Sequence, residues 1–181
     1  EGEIDEEDFM DRARLLCSLG HNVMISNFQE YYKLVEYFSR YTKMRLGLAM
    51  GVNNLVDIFD EKYYRHLSGG ILEAFGKLFF KDLKVYLYPM RDPETGEYTT
   101  SENLKVHPRM KELYKFFKYN GKVVDITDFN PDILNIFSRE VLQKIEAGDD
   151  EWEAMLPAGV SEIIKEKHLF SHHLETADEK L

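Results

Sequence analysis

Four short segments carry hydroxyl, amide, backbone N–H or guanidinium groups that could hold a small polar or anionic ligand. Each follows a predicted strand, and ligands of parallel sheets commonly bind where the carboxyl ends of the strands meet. Taken singly, Ser26, Asn27 and Asn53 are explained more simply as helix caps, which need the same residue types. Their convergence on one edge favours a binding site. Its predicted members are Ser26, Asn27, Gly51, Asn53, Arg91 and Thr127.

Gly69 and Gly70 add a second candidate binding element, because they precede a predicted helix. Free N–H groups at a helix N-terminus, with no Cβ to block approach, can hold a phosphate. The segment matches neither GxxxxGK[ST] nor GxGxxG, so the signal is weak. A sharp turn that needs a positive φ explains the same two glycines more simply.

The segment Asp60–His66 is dense in side chains that could transfer protons. At one-turn spacing Asp60 shares a helix face with Tyr64, and Lys62 with His66. A lysine near tyrosines and carboxylates is suited to acid–base chemistry, but solvated ion pairs explain these residues better. Glu30 is a plausible helix cap and a weaker catalytic candidate. No catalytic residue is therefore assigned.

The sequence gives little support for a metal site or a catalytic nucleophile. His172 and His173 are adjacent, and neither HExxH nor a His/Cys pair at ligand spacing occurs. The aspartates at 125, 128 and 132 could surround a divalent cation, although capping of the following helix is the simpler account. GxSxG is absent. Cys17 follows Leu16 in an apolar stripe, which predicts an inert core thiol. We predict no metal site, and no cofactor can be named.

An alternation of strands and helices must position these residues. Four short apolar runs predict strands, at Asn22–Ser26, Met44–Met50, Leu83–Tyr88 and Lys122–Thr127. The stretches between them carry apolar side chains at helical spacing. Strands separated by helices predict an α/β fold with a parallel sheet covered on both faces. Right-handed crossovers favour an open doubly wound sheet, for which we predict the strand order 2-1-3-4.

The predicted domain boundary lies near residue 130, because predicted strands end there and only predicted helices follow. Residues 1–129 are predicted to form a Rossmann-like α/β sheet domain, and residues 130–181 a helical extension packed on it. The polar loop 91–105 is longer than most connections, so it is either mobile or a lid.

Charge and composition narrow the classes of function. The 181 residues include 23 Lys and Arg against 33 Asp and Glu, a formal net charge of −10. That excess argues against a nucleic-acid or anionic-membrane surface, which needs a clustered basic face. One cysteine fits a reducing compartment, and no apolar run approaches the ~20 residues of a membrane span, so we expect a cytoplasmic protein. The chain starts without methionine, which predicts an excised domain or a processed product.

Six segments together form a distinctive pattern: Asp11–Leu16, Ile25–Tyr32, Ile58–Tyr64, Gly69–Gly76, Tyr86–Pro89 and Ile163–Phe170. This pattern resembles the C-terminal part of long bacterial proteins that carry the label nicotinate-nucleotide adenylyltransferase. The resemblance covers nearly all of the chain. It implies transfer of AMP from ATP to nicotinate mononucleotide, with magnesium, in NAD synthesis.

The motifs of that nucleotidyltransferase family are nevertheless missing. Its members carry a GxFxPxHxGH-like segment after the first strand and an ISSTxxR-like segment late in the fold. Here the first predicted strand is followed by Ser26-Asn27-Phe28-Gln29, without paired histidines. The late helix Ile163–Phe170 has no serine–threonine–arginine set. No catalytic residue is therefore carried over from the resemblance.

Two hypotheses of function remain. In the first, the chain binds a nucleotide or a related small anionic ligand at the strand ends. In the second, it is a non-catalytic assembly domain that forms a homodimer or docks to a missing N-terminal part. The second rests on helical aromatic residues that cannot all be core, because such residues are enriched at interfaces. They are Tyr37, Tyr41, Tyr63, Tyr64, Phe80 and Tyr119.

Overall fold

In the computed structural model, which describes residues 5–92 and 94–170, the chain divides between two units. The sheet unit is Asn27–Asn135. The helical unit combines the described residues of Glu1–Ser26 and Ile136–Leu181. The sequence predicts a division at 129/130, whereas the structure groups the first 26 residues with the C-terminal helices.

The sheet unit contains both helices and strands, and the described part of the helical unit contributes the first helix and the last two. In chain order they are α1 (Glu6–Ser18), α2 (Tyr31–Tyr41), β1 (Gly47–Gly51), α3 (Val52–Ile58), α4 (Gly70–Leu78), β2 (Lys84–Tyr88), β3 (Met90–Arg91), β4 (Tyr98–Thr99), α5 (Lys111–Tyr119), β5 (Val123–Asp125), α6 (Ser138–Ala147) and α7 (Val160–Lys167). Short 3-10 helices occupy Glu61–Tyr64, Pro108–Met110, Pro131–Ile133 and Asp150–Met155.

The main sheet has three parallel strands in the order β1-β2-β5. All five residues of β1 pair with β2, so no strand lies between them. The predicted strand at Asn22–Ser26 is wrong, because this segment is irregular and exposes Met24 and Ile25. A short apolar run does not distinguish a buried strand from an exposed connection. The sheet therefore has three strands, and the order 2-1-3-4 is not found.

The two faces of this sheet differ sharply in exposure. Val85 and Leu87 of the central strand are completely buried, and Met50 lies beside Leu87 on the same face. Tyr86 points the other way and is 40% exposed, and its neighbour Lys84 is also exposed. Right-handed crossovers between consecutive strands place their helices on one side of the sheet. Helices on both faces are thus not confirmed.

Aromatic rings fill the space between the covered face and its helices. Phe59 packs edge-on against Phe75 and Tyr114, with ring centroids 4.9 and 5.2 Å away. Helix α2 lies against α4 and buries Tyr32 and Val35. Each such buried large side chain contributes about 1.5–3 kcal/mol to stability. The helical layer and the sheet therefore share one core.

Residue Ser101 anchors the loop 91–105 to the sheet. The loop contains the antiparallel pair β3–β4, and Ser101 beyond it is buried. The Ser101 N–H and hydroxyl donate to the two carboxylate oxygens of Asp125, over 2.8 and 2.6 Å. The Tyr114 hydroxyl donates to the Ser101 carbonyl over 2.7 Å, and burial raises the pKa of Tyr114. This part of the predicted loop is thus tied to β5 and α5.

The helical unit has its own core, formed by α6, α7 and the segment between them. Trp152 and Ile164 are almost completely buried there. The predicted core position of Cys17 is wrong, because Cys17 is exposed. It lies two residues after the half-buried Leu15, which places it on the opposite side of α1.

One buried carboxylate joins the two ends of the helical unit. Asp11 of α1 is 2% exposed and accepts the backbone N–H of Phe170 over 2.6 Å. Arg14 donates to its other oxygen over 2.9 Å. Phe170 and His168 both have positive φ, which is unfavourable for residues with a Cβ. The Asp11 carboxylate therefore holds a strained backbone segment after α7.

We expect Asp125→Ala to lower the free energy of unfolding by about 1–3 kcal/mol, because the buried N–H and hydroxyl of Ser101 lose their acceptor. Urea unfolding followed by circular dichroism measures this. Asp128→Ala, at an exposed position three residues later, is the control and should change stability by less than about 0.5 kcal/mol. Equal losses in the two variants would contradict the anchoring role of Asp125.

Candidate functional site

The predicted strand-end residues are spread over different parts of the structure. Ser26 and Asn27 are exposed and follow no strand. Gly51 is the last residue of β1 and also the N-cap of α3, so Asn53 lies within the first turn of that helix and is not its cap. Thr127 is exposed two residues after β5. Gly51, Asn53, Arg91 and Thr127 lie at, or within three residues of, the carboxyl ends of β1, β2 and β5, and β2 runs between the other two strands.

Arg91 belongs to the short hairpin that follows β2. It pairs with Tyr98, and its guanidinium lies on the turn of the same hairpin. A Cβ built on Gly96 would be 3.7 Å from the Arg91 Nη2 atom. Asp92 closes the turn by accepting the N–H groups of Glu94 and Thr95. The hairpin itself thus accommodates the Arg91 side chain.

The N–H groups of the glycine pair at the start of α4 already have hydrogen-bond acceptors within the chain. The Gly69 N–H donates to Oε2 of Glu73 over 3.0 Å, and the Gly70 N–H donates to the Leu67 carbonyl over 3.0 Å. Gly70 has φ +56°, which confirms the turn that a positive φ requires. The Glu73 carboxylate lies where a phosphate oxygen would accept the Gly69 N–H.

A chain of polar side chains links α2 to the segment before α4. The Tyr32 hydroxyl lies 3.1 Å from Nε2 of His66, and Oε1 of Glu30 is 3.9 Å from the same nitrogen. Glu30 also pairs with Lys33 over 2.7 Å. Tyr32 as a whole is only 4% exposed, whereas half of the His66 side chain is exposed. The arrangement serves to hold α2 in place, and Glu30 acts through ion pairs.

The sheet unit contains a cavity of about 420 Å³ that we call the basic pocket. Four side chains that are cationic or can become so line it: Lys62, Arg65, His107 and Arg109. Val56, Phe59 and Met110 supply apolar surface, and the carboxylates of Asp60 and Glu61 also reach it. Pockets of this volume are in the range that small-molecule ligands occupy.

The charges of the basic pocket are only partly neutralised. Lys62 Nζ lies 2.7 Å from an Asp60 oxygen, and this contact lowers the pKa of Asp60. Within residues 5–92 and 94–170, neither Arg65 nor Arg109 makes an ion pair with a carboxylate within 4 Å. The backbone N–H of Arg109 donates to Nδ1 of His107 over 3.4 Å. The charge of Arg65 also helps to lower the pKa of Asp60. Neither guanidinium group is in direct contact with a carboxylate among the described residues, so both can still donate hydrogen bonds to an anion.

Short 3-10 helices set the position of both arginines. Arg65 follows the 3-10 helix Glu61–Tyr64, whose buried Tyr64 donates a hydrogen bond to the Ile58 carbonyl over 2.9 Å. Arg109 lies in the turn before α5, beside the buried Met110. These buried neighbours fix the backbone while the charged side chains stay exposed. Sequence reasoning noted the segment that contains Arg65 but missed Arg109, for which no motif existed.

A second cavity, of about 440 Å³, lies within the helical unit. Its lining is apolar apart from Arg12 and Ser138. Arg12 already donates to Asp8 over 2.8 Å. This cavity therefore provides volume but few polar contacts for recognising a ligand.

Two further findings concern the described part of the chain. It contains no cluster of three or more His, Cys, Asp or Glu side chains suited to a metal ion. Asp125, one of the three aspartates considered as ligands, is engaged by Ser101. Nor is any helix in residues 5–92 and 94–170 of the length and apolarity that crossing a membrane requires.

Glu73 provides a test of how α4 is capped. The Gly69 N–H and Lys77 lower the pKa of Glu73, so its stabilising effect is present above the pKa of the unfolded chain. It is lost as the pH falls through the lower folded-state pKa. We expect Glu73→Gln to destabilise the protein at pH 7, with a difference from wild type that shrinks towards pH ~3.

Urea unfolding at several pH values measures this difference. Glu94→Gln is the control, because the Glu94 side chain makes no hydrogen bond or ion pair among the described residues. A difference that is the same at every pH would contradict the contribution of the Glu73 charge.

Comparison with known proteins does not assign the chain to a family. No protein-family model matches the chain, and no curated protein or solved structure is significantly similar to it. The resemblance to proteins labelled nicotinate-nucleotide adenylyltransferase stays a prediction from the sequence. Among the cavities of the described residues, the basic pocket has the chemistry best suited to a small ligand.

Proposed function

We propose that the chain binds a small anionic ligand with an attached ring, of the class of a mononucleotide, in the basic pocket. One observation carries the proposal: Arg65 and Arg109 line the same cavity without ion-pair partners in the described part of the chain. The class of ligand is the one that the sequence suggested. The position differs from the strand-end site that the sequence suggested.

Because the chain is acidic overall, an arginine without a carboxylate partner is unexpected. Acidic residues outnumber basic ones by 33 to 23, so basic groups have a surplus of possible partners. Four of the eight arginines, Arg12, Arg14, Arg40 and Arg45, have a carboxylate within 4 Å. Arg91 and Arg139 have none among the described residues, so what distinguishes Arg65 and Arg109 is that both line one cavity. A guanidinium presents paired N–H donors whose geometry matches two oxygens of a phosphate. Two such groups on one cavity suit a phosphate ester.

The apolar side of the pocket suits the ring of such a ligand. Phe59 and Met110 belong to the buried core and form a rigid base, while Val56 is half-buried and reachable. Lys62 is neutralised by Asp60, so it adds little net attraction. The phosphate would therefore contact Arg65 and Arg109, and the ring would lie on Val56. We assign no reaction to the site.

The test is a thermal-shift and calorimetric titration of the whole chain with AMP, adenosine and inorganic phosphate. AMP should raise the melting temperature and bind more tightly than adenosine. Arg65→Ala and Arg109→Ala should each weaken AMP binding about ten- to hundredfold, since a hydrogen bond to a charged group contributes about 1.5–3 kcal/mol. Arg139→Ala, at an exposed position of α6, should leave AMP binding unchanged.

Three outcomes would overturn the proposal. One is the absence of any shift with AMP or phosphate. Another is equal affinity for AMP and adenosine, which would mean that the phosphate is not recognised. The third is binding that survives both pocket substitutions but is abolished by Arg91→Ala, which would return the site to the strand ends.

A further inference from the structure

The outer face of α2 and the segment just before it carry a contiguous group of exposed aromatic side chains, which we call the α2 patch: Phe28, Tyr37 and Tyr41. The Tyr37 ring centroid lies 5.6 Å from that of Phe28 and 4.9 Å from that of Tyr41. The exposed fractions are 37%, 38% and 73% in chain order. Met44, three residues beyond Tyr41, is 81% exposed. The patch lies entirely within the sheet unit.

The core of the sheet unit does not use this surface. The opposite face of α2 buries Tyr32 and Val35 against α4. Tyr37 is two residues beyond Val35, a rotation of about 200° around a helix, so its ring points away from the core. Exposed apolar side chains in mutual contact are characteristic of interaction sites, in which tyrosine is enriched.

We propose that the α2 patch binds the same patch of a second copy of this chain, with the two α2 helices antiparallel. The charges beside the patch support this partner. Glu36 and Arg40 lie one turn apart on one flank of the tyrosines, and 45% and 70% of their side chains are exposed. Their contact within one chain is long, with 3.9 Å between Arg40 Nη2 and Glu36 Oε1.

A two-fold axis that runs between the two α2 helices, perpendicular to both, makes this charge pattern self-complementary. In such an antiparallel pair, equivalent flanks of the two helices lie against each other, and the two sequences run in opposite directions along the contact. Glu36 of one copy then faces Arg40 of the second copy, and Arg40 of the first faces Glu36 of the second. Such an isologous contact closes after two copies and does not continue into a filament.

The size of the patch sets the expected strength of this contact. Helix α2 has 11 residues, so it is about 16 Å long. Two helices of this length, with Phe28 and Met44 at their ends, bury less than the ~800 Å² per partner of a standard interface. We therefore expect a weak dimer that forms in the micromolar range. It does not depend on the basic pocket.

Analytical ultracentrifugation of the whole chain, from about 5 to 500 µM, tests the proposal. The wild type should show a monomer–dimer equilibrium. Tyr37→Ala and Tyr41→Ala should each weaken dimerisation about tenfold or more, because they remove the anchors at its centre. Tyr119→Ala is the matched control, since Tyr119 is 85% exposed on α5 and outside the patch.

Charge reversal tests the antiparallel arrangement. Glu36→Lys and Arg40→Glu should each abolish self-association, because each places like charges opposite one another. An equimolar mixture of the two variants should form a heterodimer, since the introduced lysine of one variant then faces the introduced glutamate of the other. The double variant E36R/R40E should dimerise with itself. A purely structural role of these residues would give no such rescue.

The proposal is overturned by a chain that remains monomeric to about 500 µM. It is also overturned by a dimer that is insensitive to Tyr37→Ala and Tyr41→Ala, which would place the interface elsewhere. Failure of the mixed variants to associate, while the wild type dimerises, would exclude the antiparallel pairing. Circular dichroism of each variant checks that α2 has folded.

Discussion

The covering of a single face of a parallel sheet is the constraint on which the rest of the sheet unit depends. Val85 and Leu87 of β2 are completely buried, and they must be covered by apolar side chains from one side, because Lys84 and Tyr86 on the other side meet water. Helices α3, α4 and α5 therefore share one layer, and α2 packs on α4. Phe59, Phe75 and Tyr114 interlock at the centre of this layer. Parallel sheets are ordinarily covered on both faces, so this unit differs from the common doubly wound arrangement.

This one-sided arrangement also decides where ligand chemistry can be placed. A sheet whose strands follow one another in order has no switch point, and a switch point is what opens a crevice at the strand ends of doubly wound folds. In the function proposed above, connections within the helical layer take over that role. The end of the 3-10 helix Glu61–Tyr64 brings Arg65, and the turn before α5 brings Arg109, to one cavity. The buried Tyr64 and Met110 hold these turns in place, so the exposed cations are attached to rigid backbone.

Sequence reasoning identified the elements whose patterns are local and missed what depends on distant residues. Alternation in Leu83–Tyr88 predicted β2 to within one residue, and the glycine pair at 69 and 70 predicted where α4 begins. Asn22–Ser26 has the composition of a strand, but β1 pairs directly with β2 and leaves no place between them. Tyr64, expected among the interface aromatics, is buried and bonded to Ile58. The engagement of Gly69 by Glu73 and the meeting of Arg65 with Arg109 depend on side-chain geometry that no spacing rule contains.

The consecutive strand order has a further consequence for how the chain is made. Register partners Gly47 and Lys84 are 37 residues apart, and Val85 and Val123 are 38 apart, so two crossovers of nearly equal length build the sheet. Strands β1 and β2 and helices α2, α3 and α4 have all been synthesised once the chain reaches Tyr88, whereas Tyr114 of the shared core follows later with α5. A nascent chain leaving the ribosome can therefore close its first crossover before β5 is synthesised. Folding of this unit can proceed vectorially, with β5 and the Asp125–Ser101 anchor added last.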